Sequence, residues 1–317
     1  MLLPLRTPVR AASFLILGSA MVEHADAHFQ HPAKPLEALL SPPVPDPRAM
    51  AWSGEELLVA DREGQIHLVE PSFGARRLFM AARDPVRIAI SPLGAAGRRV
   101  AVVDHLGRLR VYELDGRLVW EQSTGLLAGV QILFTPPGVV VVGDAPETRR
   151  IWLFSPDGTV VGRARLPART IALPRGKDLF LVRSLAAGLQ VRPFGEQLGS
   201  EPATEHHLMT SGGFVYGVAS GGVTLWRSVA TDASAKGGEA VTVKLYDVAN
   251  AALTVDGETL ALATRSGTVS VTVARPGVPR ASAGKVGGHE APITGLAFAP
   301  KGRWLASLAE KVWIWSY

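Results

Sequence analysis

The chain has 317 residues, of which 47% are hydrophobic; the 33 basic and 28 acidic residues leave a formal charge of +5. No run of five or more like charges gathers that excess on one stretch, which argues against nucleic acid as the ligand, since such proteins concentrate their charge on one face. The absence of cysteine excludes disulfides, thiolate nucleophiles, Cys-ligated zinc, iron–sulfur clusters and covalent haem attachment together.

Residues 1–27 read as a secretory signal peptide or, alternatively, as a disordered tail. Arg6 and Arg10 precede an apolar run from Ala11 to Val22, and Ala25-Asp26-Ala27 has the small-x-small form of a cleavage site. The run is about 18 Å long as a helix against roughly 30 Å of bilayer core, too short for a membrane span. The pattern favours a periplasmic or secreted location over the cytoplasm. Cleavage after Ala27 would place His28 at the mature N-terminus, where its amine and imidazole, with His31, could bind copper. No other metal site is expected. Residues 28–47 carry six prolines and form a linker in which only Leu36 to Leu40 reads as a strand.

From residue 48 an element recurs every roughly 35 to 45 residues, the spacing of a four-stranded repeat. Each copy has an apolar strand, a second apolar strand, a tight turn and a third alternating strand. Copy one runs Ala49–Ser53, Glu56–Ala60, a turn at Asp61–Gly64 and Gln65–Glu70; copy two is VRIAISP from Val86, RVAVVD from Arg99 and RLRVYEL from Arg108, with an outer strand RLVWEQ from Arg117. Later copies begin at Val130, Thr170, His207 and Ala251. The small polar stretch Ser228–Gly238 reads as a surface loop and a proteolysis site. The last copy, Gly288 to Tyr317, opens on Gly288-His289 and closes on Trp313-Ile314-Trp315.

That last unit resembles a repeat of the WD-repeat β-propeller family. The resemblance implies an all-β, seven-bladed propeller over residues 48–317, whose last blade is completed by Leu36–Leu40 pairing with Lys311–Tyr317. Deleting residues 28–45 would then lower the melting temperature sharply. It also implies a hydrogen-bonded network of His289, Ser307 and Trp315. The Asp that normally joins such a network is missing, with Glu310 nearest its place; Asp61 and Asp104 hold that turn position in the first two copies.

Catalytic signatures are absent: there is no GxSxG, no phosphate loop and no GxGxxG, and His289-Glu290 continues as Ala-Pro-Ile, which is not HExxH. No catalytic residue or cofactor is expected. Neighbouring side chains on an extended segment point to opposite sides, so of His206 and His207 one is expected exposed and one packed. In propellers of this kind, loops before the first strands and turns between second and third strands share one end, where partners dock. The corresponding residues are Arg83, Asp84, Arg169, Glu205, His206, Asn250 and Glu290, with Arg62, His105, Arg149 and Arg183 from the turns. Mixed charge with few large aromatics suits a protein or peptide partner. The expected molecule is a non-enzymatic, monomeric interaction scaffold; the alternative is an exported propeller with a ligand at its channel mouth or copper at its N-terminus.

Overall fold

A computed structural model describes residues 37–40, 43–71, 74–91, 97–146, 148–186, 188–199, 201–211, 214–219, 222–226, 240–244, 247–274, 283–287, 289–301 and 304–317. The N-terminal residues through His31, the Pro-rich stretch up to position 36 and the loop Ser228–Gly238 lie outside them.

The described residues form seven antiparallel sheets. Sheet 1 comprises β2 (Pro47–Ser53), β3 (Glu56–Asp61), β4 (Gln65–Glu70) and β5 (Gly74–Met80). Sheet 2 comprises β6 (Pro85–Ile90), β7 (Arg99–Asp104), β8 (Arg108–Glu113) and β9 (Leu118–Ser123). Sheet 3 comprises β10 (Ala128–Thr135), β11 (Gly138–Ala145), β12 (Thr148–Phe154) and β13 (Val160–Leu166). Sheet 4 has three strands, β14 (Ile171–Arg175), β15 (Asp178–Leu185) and β16 (Gly188–Pro193). Sheet 5 holds β17 (His207–Ser211), β18 (Phe214–Ala219), β19 (Gly222–Trp226) and β20 (Ala240–Lys244). Sheet 6 holds β21 (Val248–Leu253), β22 (Thr259–Thr264), β23 (Thr268–Val273) and β24 (Ala283–Gly287). Sheet 7 holds β25 (Gly295–Phe298), β26 (Trp304–Leu308) and β27 (Val312–Ser316), and its fourth strand comes from the other end of the chain: β1 (Glu37–Leu40) pairs antiparallel with β27, with Glu37 opposite Ser316 and Ala38 opposite Trp315.

The second strands explain how the sheets assemble. Leu57, Leu58, Val59 and Ala60 are all fully buried, although alternate residues of a strand face opposite sides. Leu58 and Ala60 pack with Ile88, Val100 and Val102 of sheet 2, whereas Leu57 and Val59 pack with Ala306, Leu308 and Ile314 of sheet 7. The same division recurs in β11, where Val139 and Val141 face sheet 2 and Val140 and Val142 face sheet 4. Further clusters join sheets 4 and 5 through Val182 and Trp226, sheets 5 and 6 through Leu225 and Leu260, and sheets 6 and 7 through Val269 and Trp315. A sheet buried on both faces calls for an unbroken apolar run instead of alternation. The outer strands are different: β13 exposes Val160, Val161, Arg163 and Arg165.

The first strands of neighbouring sheets are not paired backbone to backbone, and side chains bridge them instead. Trp52 Nε1 donates to Ala297 O at 3.0 Å, and Asn250 Nδ2 donates to Thr294 O at 3.0 Å. Gln131 bonds both backbone groups of Ala172, its amide donating at 3.0 Å and its oxygen accepting at 2.9 Å.

Candidate interaction surface

The corner that leads into a first strand is built the same way in three sheets. Asp46, Asp84 and Asp247 immediately precede β2, β6 and β21 and have φ of 38°, 47° and 66°. Aspartate is one of the few residues with a side chain that adopt this left-handed conformation readily. The turned backbone presents each Asp carbonyl to the turn between second and third strands of the same sheet: Arg62 N reaches Asp46 O at 3.0 Å, His105 N reaches Asp84 O at 3.1 Å, and Arg265 N reaches Asp247 O at 3.2 Å. Corner and turn therefore lie at one end of the molecule. Arg62 also ties neighbouring sheets together, with its carbonyl accepting from Asp84 N at 2.8 Å and its guanidinium lying 3.6 Å from Asp46 and 3.4 Å from Asp84.

Of the residues expected on this rim, Arg62, Arg83, His105, Arg169, Glu205 and Glu290 are exposed. Arg83 pairs with Glu63 at 2.9 Å, and Arg169, with φ of 60°, donates to Thr204 O at 2.6 Å. Exposed pairs of this sort contribute about 0–1 kcal/mol each. Asp84 and Asn250 are half-buried.

Arg149 and Arg183 are not turn residues on the rim. Both are buried, because the second and third strands of their sheets extend to Ala145 opposite Thr148 and to Leu185 opposite Gly188, which draws these arginines into the ladders. Arg149 donates to Asp144 at 2.7 Å and to Thr170 O, and Arg183 Nε donates to Gln190 at 2.7 Å.

In sheet 7, Ser307 Oγ lies 2.7 Å from His289 Nε2 and accepts the Trp315 indole N–H at 2.9 Å. Glu310 stands where the family's Asp would: one oxygen lies 3.4 Å from His289 Nδ1, and its carboxylate accepts from the backbone of Glu290 and Ala291. Other sheets fill the same position differently. Asp61 meets His67 at 2.9 Å with both buried, and Asp104 meets Arg110 at 3.0 Å.

The two adjacent histidines separate. His206 packs edge-on against Trp226, with Thr204 Oγ1 at 2.9 Å and Thr224 Oγ1 at 3.3 Å from its ring nitrogens. His207 is exposed and lines a cavity of about 940 Å³. That cavity is walled by the first strands of all seven sheets, including Met50, Arg87, Gln131, Ile171, Met209, Asn250 and Leu296. Arg87 stands among them, and its mark in the sequence is a charge inside the apolar run VRIAI.

Desolvation pushes the pKa of buried His289, half-buried His206 and cavity-lining His207 below the usual histidine value. Arg149 and Arg87 add to the effect at His207, whereas Glu310 opposes it at His289 and Lys311 adds to it there. Folding thus favours the neutral rings, whereas the unfolded chain takes up protons near pH 6.5. This contribution to stability is complete above about pH 6.5 and is lost as pH falls through that value toward the folded pKa values. Urea denaturation near neutrality and near pH 5.5 should show the lower midpoint in acid; an unchanged or higher midpoint would contradict the desolvation of these rings.

Among the described residues no three His, Asp or Glu side chains gather to hold a metal, and no helix is long and apolar enough to cross a membrane. His28 and His31 lie outside the described residues.

No protein-family model matches the chain. No curated protein matches it in sequence. Its fold does match solved structures. Raptor from Chaetomium thermophilum superposes with a TM-score of 0.65 at 14% identity over 89% of this chain, which spans 29% of Raptor's length. The β-propeller domain of Cps50 (Swd1) from Myceliophteria thermophila gives 0.64 at 14% identity, covering 89% of this chain and 100% of that domain. The C-terminal WD40 domain of Sif2 gives 0.62 at 12% identity, covering 90% and 99%. The repeated antiparallel sheets and these neighbours together show that the chain has the WD40 β-propeller fold.

Proposed function

We propose that residues 48–317 form a seven-bladed propeller, closed by β1, that acts as a non-enzymatic scaffold for a protein or peptide partner. The ring is supported by the apolar clusters that join each sheet to the next and sheet 7 to sheet 1. The observation that carries the functional reading is the rim. Its corners are held by backbone bonds between Asp46, Arg62, Asp84 and His105, while the outward side chains carry both signs of charge and remain accessible. A surface ordered by its own scaffold loses little entropy when a partner docks, and mixed charge provides selectivity. In this reading the molecule is a monomer and nucleic acid is not its ligand.

Charge reversal tests the reading. Arg83→Glu combined with Arg169→Glu should abolish capture of a protein partner from the native host while leaving the melting temperature within a few degrees, because exposed pairs contribute little to stability. Partners retained by the double variant would exclude this rim as the docking face. The second reading, an exported chain with copper at its mature N-terminus, predicts an intact mass beginning at His28 and copper that is lost in His28→Ala.

A further inference from the structure

The cavity walled by the first strands contains a cation that the protein leaves unsatisfied. Arg87 lies on β6, and its Nε donates to Val130 O at 3.1 Å. Its two terminal nitrogens have no hydrogen-bond or ion-pair partner among the described residues. Arg87 is exposed within the cavity, so these nitrogens meet solvent there, while desolvation by the surrounding wall pushes its pKa down. A guanidinium fork that opens on a cavity without a counter-charge suits an oxyanion, which it can hold by charge-assisted hydrogen bonds.

The surroundings reinforce that charge. Arg149, Arg169 and His207 line the same cavity, and Asp144 is the one carboxylate among the lining residues. Asp144 is engaged by Arg149 at 2.7 Å. Arg169 has a bond to Thr204 O but no carboxylate partner among the described residues. His207 has no hydrogen-bond partner among them.

We propose that this cavity is a binding site for a small oxyanion, a phosphate- or carboxylate-bearing molecule, gripped by the Arg87 fork with His207 and Arg169 beside it. Its volume of about 940 Å³ is at the upper end of small-ligand cavities. The planar guanidinium offers paired donors to either kind of oxyanion. Neutral His207 faces Arg149, Arg87, Arg169 and Asp144. A bound anion offsets the first three and favours the imidazolium, so binding takes up a proton and tightens as pH falls.

Calorimetric titration of the full chain with sulfate and, separately, with acetate tests this, at about pH 7.5 and about pH 5.5 and constant ionic strength, because sulfate keeps its charge throughout that range whereas an ordinary histidine gains one. Saturable one-to-one binding is expected, strongest for sulfate if the natural ligand carries a phosphate and for acetate if it carries a carboxylate. Arg87→Gln should weaken it at least tenfold, and Arg87→Lys, which keeps the charge but not the fork, should fall between. His207→Gln should leave binding at the higher pH nearly unchanged while removing the gain in affinity in acid. Absence of saturable binding by either anion, or equal affinity in the wild type and in an Arg87→Gln chain of unchanged melting temperature, overturns the proposal.

Discussion

Trp315→Ala should lower the unfolding free energy by about 3–5 kcal/mol, the cost of emptying a buried aromatic site. Trp315 is fully buried between sheets 6 and 7, among Ala261, Val269, Phe298 and Leu305. Its neighbour on β27, Ile314, faces the opposite way and packs with Leu57 and Val59 of sheet 1. One short strand thus joins three sheets, and a cavity on one side loosens its hold on the other. The indole N–H adds a second effect, since it donates to Ser307 Oγ, which also meets His289. Trp315→Phe keeps much of the apolar contact but removes that donor, and should cost about 1–3 kcal/mol. Ser307→Ala leaves the indole N–H and the imidazole without their shared partner and should cost a similar amount. Urea denaturation of the three variants separates packing from hydrogen bonding. A Trp315→Ala chain within 1 kcal/mol of wild type would mean that the seam between sheets 6 and 7 is not continuous, as 1 kcal/mol is well below the cost of emptying a packed site.

The strands and their repeat were legible because burial on both faces leaves a strong mark. Val100 to Val103 and Val139 to Val142 are runs that only a doubly covered strand would carry, and tight turns such as Asp104–Gly107 punctuate them. The positions that line the cavity were legible only in part. Asn250 and the His206-His207 pair stand in loops expected at the mouth of the ring, whereas Arg87 and Gln131 each look like an ordinary polar residue near the start of a strand, and their shared destination depends on how seven sheets are arranged. The rim was read in part. The order of strands and turns located Arg62, Arg83 and Arg169, but turn length decides whether a nearby arginine emerges, and the long hairpins of sheets 3 and 4 take Arg149 and Arg183 inside. The aspartate corner does leave a trace, Asp46-Pro47 and Asp84-Pro85, since proline starts a strand without needing a donor. Nothing in the pattern names a partner, because loop chemistry varies independently of the repeat that supports it.

A chain that starts at residue 43 and so lacks β1 should melt roughly 5–10 °C lower and associate at high concentration. β1 contributes the pairing of Glu37, Ala38 and Leu40 with Ser316, Trp315 and Ile314, and a few backbone bonds at about 1 kcal/mol each correspond to that shift for a protein of this size. The loss is partial because Val44, Leu57 and Val59 still pack on Ile314 and Val312, so sheet 1 continues to hold sheet 7. Association follows from what is uncovered. The freed edge belongs to the strand Val-Trp-Ile-Trp-Ser, rich in aromatic and β-branched residues and free of proline and charge, the kind of edge that recruits another strand. Hydrogen exchange locates the effect: amides of β27 should lose protection while those of β7 and β11 keep theirs. A synthetic peptide spanning residues 36–45 should restore both protection and solubility by occupying the vacated edge. Unchanged melting together with protected β27 amides would show that the pairing of β1 with β27 contributes nothing to holding sheet 7, and that the apolar contact between sheets 7 and 1 does so alone.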